Sequence, residues 1–238
     1  MAKPAFWMAL SAVLAGPAET IAQPSCTSDA IIVFDGSASM AETSQGSDDA
    51  SKIVLAREAM HRSLPEIALF RRLGLVTYGP GADPETCNNA SLLFPPVADA
   101  APLITGAVNG LEPDGNTPLT DAVRTAADAL GYTERPGVVV LVTDGRETCG
   151  GSPCALGAEL ADKGAALTVH VIGFQLQQDH KGHPLFRPDN SIHSADCLAE
   201  KTGGLVVSTE TVDELVKALN DTLACPVVSF RPSAPSRG

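Results

Sequence analysis

Apolar residues follow two patterns along this chain, and the patterns alternate. Runs rich in apolar residues predict strands at 30–34, 73–78, 91–94, 138–142, 167–174 and 205–208. Apolar positions at helical spacing predict helices at 53–67, 118–130, 153–163 and 212–223, and a shorter helix from Cys197. Strands that alternate with helices predict an α/β fold, with a mostly parallel central sheet of about six strands and helices on both faces.

Polar side chains stand where two of these strands end. The first strand leads directly into Asp35, Ser37 and Ser39, and the most apolar strand is followed by Asp144. Thr117 opens the central helix, where it could also cap the first turn. Ligands of open α/β sheets bind beyond the carboxyl ends of the strands, so we expect these five side chains to lie together.

These five side chains offer oxygen atoms and no nitrogen or sulfur, which suits hard cations. Mg²⁺ takes six oxygen ligands at roughly 2.0–2.1 Å and usually keeps several waters. Mn²⁺ and Ca²⁺ accept the same kind of ligand. A site that supplies only some of the six oxygens leaves a coordination position for a ligand from outside.

The order of these residues resembles the metal-ion-dependent adhesion site of von Willebrand factor A domains. The matching features are D-x-S-x-S after the first strand, a threonine before a central helix and an aspartate after the fourth strand. The likeness covers residues 28–223. It is closest to exported bacterial A domains with T-D-G-x-E-T-C and then P-C, here at 143–149 and 153–154. The resemblance implies a Rossmann-like fold whose sheet has one antiparallel edge strand.

The resemblance also implies a role for each site residue. Ser37, Ser39 and Thr117 would hold the cation directly, while Asp35 and Asp144 would act directly or through water. Because hydroxyl ligands are neutral, the cation would favour a carboxylate presented by a protein partner. We therefore expect adhesion or protein–protein interaction without catalysis, at a site that holds Mg²⁺ or a similar ion.

Other interpretations of the same residues stay open. Taken singly, Asp35 could be a turn residue and the serines ordinary loop residues; the five together favour a metal site. Strand-end aspartates also serve metal-dependent hydrolases such as phosphatases, but those motifs usually place a second carboxylate where Ser37 stands. A structural module whose site holds no ion is a third interpretation.

The ends of the chain predict export. Residues 1–22 have the positive start, apolar run and small residues of a signal peptide, with cleavage expected after Ala22. The A domain is expected at 23–226, followed by a disordered tail at 227–238. No later run is long enough to span a bilayer. We therefore expect a periplasmic or secreted protein.

The net charge of -12 argues against nucleic acid and anionic membranes as partners.

The cysteines are even in number, which in an exported chain predicts disulfides. The six are Cys26, Cys87, Cys149, Cys154, Cys197 and Cys225. Cys26 precedes the first strand and Cys225 follows the last helix, so these two are expected to pair. For the other four, a local Cys149–Cys154 bridge with Cys87–Cys197 is preferred. The alternative is Cys87–Cys149 with Cys154–Cys197.

Three further features carry weaker hypotheses. Arg146 could bind an incoming carboxylate, although a solvated loop arginine explains it as well. The long loop at 175–196 contains His180, His183, His193, Asp189 and Asp196. A secondary metal site or pH-sensitive site is conceivable there, but solvated loop residues are the favoured interpretation. Tyr78 is expected to pack at the sheet edge.

Overall fold

The computed structural model describes residues 28–44, 50–80, 87–176 and 193–224. The strands are β1 (Ala30–Asp35), β2 (Leu73–Tyr78), β3 (Ser91–Val97), β4 (Gly137–Thr143), β5 (Leu167–Phe174) and β6 (Val206–Thr209). The α-helices are α1 (Lys52–Ile67), α2 (Ala101–Asn109), α3 (Leu119–Leu130), α4 (Pro153–Lys163), α5 (His193–Thr202) and α6 (Val212–Leu223). A short 3-10 helix, Ala38–Ala41, follows β1.

The six strands form one sheet in the order β3-β2-β1-β4-β5-β6. All neighbouring pairs are parallel except β2 and β3, which are antiparallel. The predicted α/β architecture with one antiparallel edge strand is therefore confirmed. β1 lies between β2 and β4, so the chain order changes direction at β1, which is where ligand sites form in such sheets.

The sheet separates two hydrophobic layers. Ile32 and Phe34 of β1 pack with α1, α2 and α6, whereas Ile31 and Val33 pack with α3, α4 and α5. Every residue of β1, β2 and β4 is buried. Because helices cover both faces, these strands are continuously apolar rather than alternating. Burial on both faces thus explains the continuous apolar runs in the sequence.

Several elements differ from the sequence-based expectation. Helix α2 was not predicted, because Pro102 and Gly106 obscure a short amphipathic pattern. Helix α5 begins at His193, before the expected start at Cys197, which shortens the loop expected at 175–196. Tyr78 does not pack at the sheet edge; it is fully buried on the second strand from that edge.

Strand β3 extends three residues beyond its expected end and includes Pro95 and Pro96. Its pairing with β2 contains register shifts, between Leu73 and Leu75 and between Leu75 and Val76. Proline has no N–H for the ladder, and it is tolerated here because β3 is an edge strand. The prolines hid the strand's second half from pattern analysis.

Several sequence-based expectations lie outside the described residues. They are the signal peptide, the tail, the Cys26–Cys225 bridge, and the residues His180, His183 and Asp189. Within the described ranges, the structure contains no helix of sufficient length and apolar character to cross a membrane.

One histidine couples the fold to pH. His170 on β5 is half-buried, and its Nδ1 accepts a hydrogen bond from the Leu205 peptide N–H at 3.0 Å. Burial and, to a smaller extent, the positive charge of Arg71 lower the pKa of His170 from 6.5 to about 4. The folded state therefore favours the neutral ring, which can accept this hydrogen bond.

We expect the free energy of unfolding to fall as the pH is lowered from about 6.5 to about 4, because over this range His170 is protonated more readily in the unfolded chain than in the folded one. Its contribution is on the order of 1 kcal/mol, allowing for partial exposure. Urea unfolding of the wild type and His170→Gln across this pH range measures it. The variant should show a smaller loss over that interval; identical pH profiles would contradict the assignment.

Candidate metal-binding site

The carboxylate of Asp35 is the centre of the site. It lies at the end of β1 and is fully buried. Its Oδ1 accepts hydrogen bonds from the peptide N–H and the hydroxyl of Ser37, at 2.8 and 2.6 Å. Its Oδ2 accepts one from the hydroxyl of Thr143 at 2.6 Å, across the sheet on β4. Asp35 therefore joins the loop after β1 to the end of β4.

A second carboxylate joins the same network through the serines. The hydroxyls of Ser37 and Ser39 lie 3.2 Å apart, and that of Ser39 donates to Asp144 Oδ1 at 2.7 Å. Asp144 is 1% exposed and follows β4 directly. Four of the five predicted ligands thus form one cluster: Ser37 donates to Asp35, Ser39 donates to Asp144, and the two hydroxyl oxygens lie side by side.

Thr117 is brought to the same end of the sheet by its backbone. It is buried, and its N–H donates to Thr148 Oγ1 at 2.8 Å. The loop before it contacts the serine loop, where the N–H of Ala38 donates to the carbonyl of Gly115 at 3.2 Å. The three predicted segments therefore meet at the carboxyl ends of β1 and β4.

Thr117 does not cap α3 as expected. The helix begins at Leu119 and has no capping hydrogen bond from the side chain that precedes it. Glu147 takes that role: its Oε2 accepts from the N–H and hydroxyl of Thr120 at 2.8 and 2.7 Å. Its Oε1 accepts from the N–H of Cys149 at 2.8 Å. Glu147 therefore attaches the loop after Asp144 to the start of α3.

Lys52 is the site residue that sequence reasoning missed. It is the first residue of α1, it is 1% exposed, and its Nζ lies 2.9 Å from Asp144 Oδ2. The same Nζ lies 3.0 Å from Glu42 Oε2. Lys52 directly precedes the helix predicted at 53–67, and a lysine in such a position is normally expected to be exposed. The sequence signal that could have revealed it is a positive charge at the N-terminus of a helix, where cations are disfavoured.

Burial of the network changes its acid–base properties. It raises the pKa of Asp144 to about 6; the negative charge of Asp35 acts in the same direction, whereas Lys52 and Ser39 act to lower it. Burial also raises the pKa of Tyr78 well above its usual value, with a further contribution from Asp35. Tyr78 therefore keeps its proton and donates to Thr143 Oγ1 at 3.1 Å.

The donor set fits a hard cation. Among the described residues there is no group of three or more His, Cys, Asp or Glu side chains suited to a metal, so any ion here depends on the hydroxyls. The hydroxyl protons of Ser37 and Ser39 are directed at Asp35 and Asp144. This leaves oxygen lone pairs available, as Mg²⁺ or Ca²⁺ requires. Arg146 is exposed on the loop that follows Asp144.

The preferred disulfide pairing was wrong. The structure contains the alternative, Cys87–Cys149 and Cys154–Cys197, with Cα–Cα distances of 5.5 and 4.8 Å. The first bridge ties the loop before β3 to the loop after β4. The second ties the start of α4 to α5. The two bridges fasten neighbouring segments together, whereas a local bridge would have closed only one loop.

Comparison with known proteins agrees with this geometry. Residues 30–147 match the family model of the von Willebrand factor type A domain, and this range contains all five candidate ligands. This part of the chain is a von Willebrand factor type A domain. Such A domains often bind a divalent metal and mediate protein interactions.

Two Bacillus subtilis proteins are similar to this chain. Uncharacterized protein YwmD is 25% identical over 205 residues, which are 83% of this chain and 85% of that protein. Uncharacterized protein YwmC is 39% identical over 77 residues, 32% of this chain and 33% of that protein. The match to YwmC thus spans about a third of its length.

A solved structure shares the fold of this A domain. Proximal thread matrix protein 1 from the mussel byssus, with a zinc-occupied MIDAS motif, has a TM-score of 0.55 and 20% identity. The match covers 84% of this chain and 46% of that one. At this identity the likeness concerns the fold alone.

The serine loop depends on a close backbone approach at Gly79, just beyond β2. Gly79 has a φ of +104°, and a Cβ atom there would lie 2.3 Å from the carbonyl carbon of Gly36. Gly203 also has a positive φ, +74°, but a Cβ there would meet no atom within 4 Å. An alanine at either position would have an unfavourable φ, but only an alanine at position 79 would also clash with a neighbouring backbone.

We expect Gly79→Ala to destabilise the A domain by about 3 kcal/mol or more, because it adds a backbone clash to an unfavourable φ. Gly203→Ala, the matched control, should lose only about 1 kcal/mol. Urea unfolding of both variants measures the difference. Equal losses would show that the loops after β1 and β2 do not constrain one another.

Proposed function

We propose that this A domain binds a divalent cation, Mg²⁺ or a similar ion, through Asp35, Ser37, Ser39, Thr117 and Asp144. Through the cation it would bind a carboxylate of a protein partner. The observation that carries the proposal is the pair of adjacent hydroxyls, of which Ser37 donates its proton to Asp35 and Ser39 donates its proton to Asp144. This arrangement leaves the lone pairs of the neutral hydroxyl oxygens available to a cation.

Neutral ligands favour a partner that supplies negative charge. The serine hydroxyls do not reduce the charge of a bound cation, so an external carboxylate completes both its coordination and its charge. Arg146, exposed beside the site, is proposed as a further contact for that carboxylate. This accounts for adhesion or protein–protein interaction without a chemical step.

We propose binding rather than hydrolysis. A phosphatase-type site would usually place a second carboxylate two residues after Asp35, and Ser37 stands there. The Ser37 hydroxyl donates to Asp35, which also accepts from Thr143, so its carboxylate is engaged in holding the loop. These contacts support a structural arrangement of ligands rather than a nucleophile with a free base.

We further propose that the protein works outside the cytoplasm. The two disulfides of the described region support this, because such bonds persist in oxidising compartments. The signal peptide predicted at residues 1–22 would direct the protein to the periplasm or to secretion.

Metal binding is tested with the hydroxyls, because the aspartates also hold the loops together. We expect Mg²⁺, Mn²⁺ or Ca²⁺ to raise the melting temperature of the wild type above its value in chelator. Ser37→Ala/Ser39→Ala should abolish this rise. Asp162→Asn is the control: it removes an exposed carboxylate on α4, and this variant should retain the rise in melting temperature. A wild type that binds none of these ions by calorimetric titration would refute the proposal.

Partner binding should require the ion. With the full chain immobilised, a protein captured in Mg²⁺ should be released by chelator and recaptured when Mg²⁺ is restored. The Ser37→Ala/Ser39→Ala chain should fail to capture it, while Asp162→Asn should capture it normally. Equal capture in chelator and in Mg²⁺ would show that the partner binds elsewhere.

A further inference from the structure

Lys52 occupies a position that helix physics alone disfavours. It is the first residue of α1, and the first turn of that helix contains no acidic residue to offset its charge. The N-terminus of a helix carries a partial positive charge, so a cation there is unfavourable. Lys52 is also buried, which makes an unneutralised ammonium costly. Its place must be stabilised by its contacts with the site.

The backbone holds Lys52 opposite Glu42. The N–H of Lys52 donates to the carbonyl of Glu42 at 3.0 Å, and the N–H of Ser44 donates to the carbonyl of Ala50 at 3.0 Å. An antiparallel bridge between Thr43 and Ser51 lies between these bonds. The segments on either side of residues 45–49 are therefore paired, and this pairing directs Lys52 into the site.

The ammonium contacts the side of Asp144 that does not face the serines. Asp144 Oδ1 accepts from Ser39, while Oδ2 lies 2.9 Å from Lys52 Nζ. Lys52 can thus neutralise Asp144 without occupying the serine hydroxyls. Asp35 and Asp144 otherwise place two negative charges in one buried network, which is unfavourable without a positive charge nearby.

We propose that Lys52 is the internal counter-cation of this site, and that it sets how tightly the site binds a divalent ion. Without a metal, its charge stabilises the two buried aspartates, so the domain stays folded. With a metal, the same charge opposes the ion and weakens its binding. This inference rests on the proposed metal binding by the hydroxyl set.

The fixed charge also bears on the partner. Two aspartates, one lysine and one divalent cation sum to a formal charge of about +1, since Glu42 is largely at the surface. A loaded site that keeps positive charge attracts a carboxylate more strongly than a neutral one. Lys52 would therefore weaken metal binding and at the same time strengthen binding of an acidic partner.

The test compares Lys52→Met, which keeps length and removes charge, with Lys52→Arg, which keeps charge. Lys163→Met is the matched control: Lys163 lies at the far end of α4, is exposed, and pairs with Glu159 at 3.2 Å. In chelator, Lys52→Met should lower the melting temperature by about 5–10 °C, because it leaves Asp144 without its counter-charge. Lys163→Met should change it by at most about 2 °C.

The deciding measurement is the Kd for Mg²⁺ by calorimetric titration. Lys52→Met should bind at least about tenfold more tightly than the wild type, and Mg²⁺ should raise its melting temperature by more. Lys52→Arg should stay within about threefold of the wild type, since it keeps the charge. If Lys52→Met does not fold in chelator, Lys52→Gln, which can still hydrogen-bond to Asp144, takes its place.

The outcomes separate this inference from the proposed function. A wild type that binds Mg²⁺ together with a neutral variant that binds it equally or more weakly would overturn the role of Lys52 and leave the metal site intact. Weaker binding would mean that Lys52 positions Asp144 rather than opposing the ion. A wild type without any cation binding would overturn the proposed function and this inference with it.

Discussion

A charged carboxylate without solvent access must be fully hydrogen-bonded, and the buried Asp35 imposes this requirement on everything around it. Ser37 donates two hydrogen bonds to this carboxylate and Thr143 donates one. Ser37 can do so only if the chain turns sharply after β1, and Thr143 only if β4 lies beside β1. The position of the serine loop and the pairing of the two central strands thus satisfy the same need.

The loops at this end of the sheet are held from several directions. The segment after β4 is attached to α3 through Glu147, to the loop before β3 through Cys149, and to α5 through Cys154. The disulfides close chain separations of 62 and 43 residues, which removes much of the freedom of the unfolded chain. A ligand set spread over three loops is in this way built on rigid supports rather than on independent segments.

The sheet and the meeting of the five candidate ligands at its carboxyl ends could be predicted because their signals are local. A strand covered on both faces is continuously apolar, and Asp35 and Asp144 are prominent because each follows such a strand directly. Lys52 could not be found in this way, since it is separated from Asp144 by 92 residues and only the fold brings them together. The disulfide partners and the capping of α3 by Glu147 are likewise set by which loops meet in space.

The two prolines of strand β3 affect how the sheet can pair with another molecule. An exposed edge with regular N–H groups invites a strand from another molecule, and the adjacent prolines Pro95 and Pro96 interrupt that regular row in the edge strand β3. At the opposite edge, β6 is short and contains no proline. The two edges therefore differ in what limits edge-to-edge pairing: prolines interrupt the β3 edge, whereas the β6 edge offers only four residues.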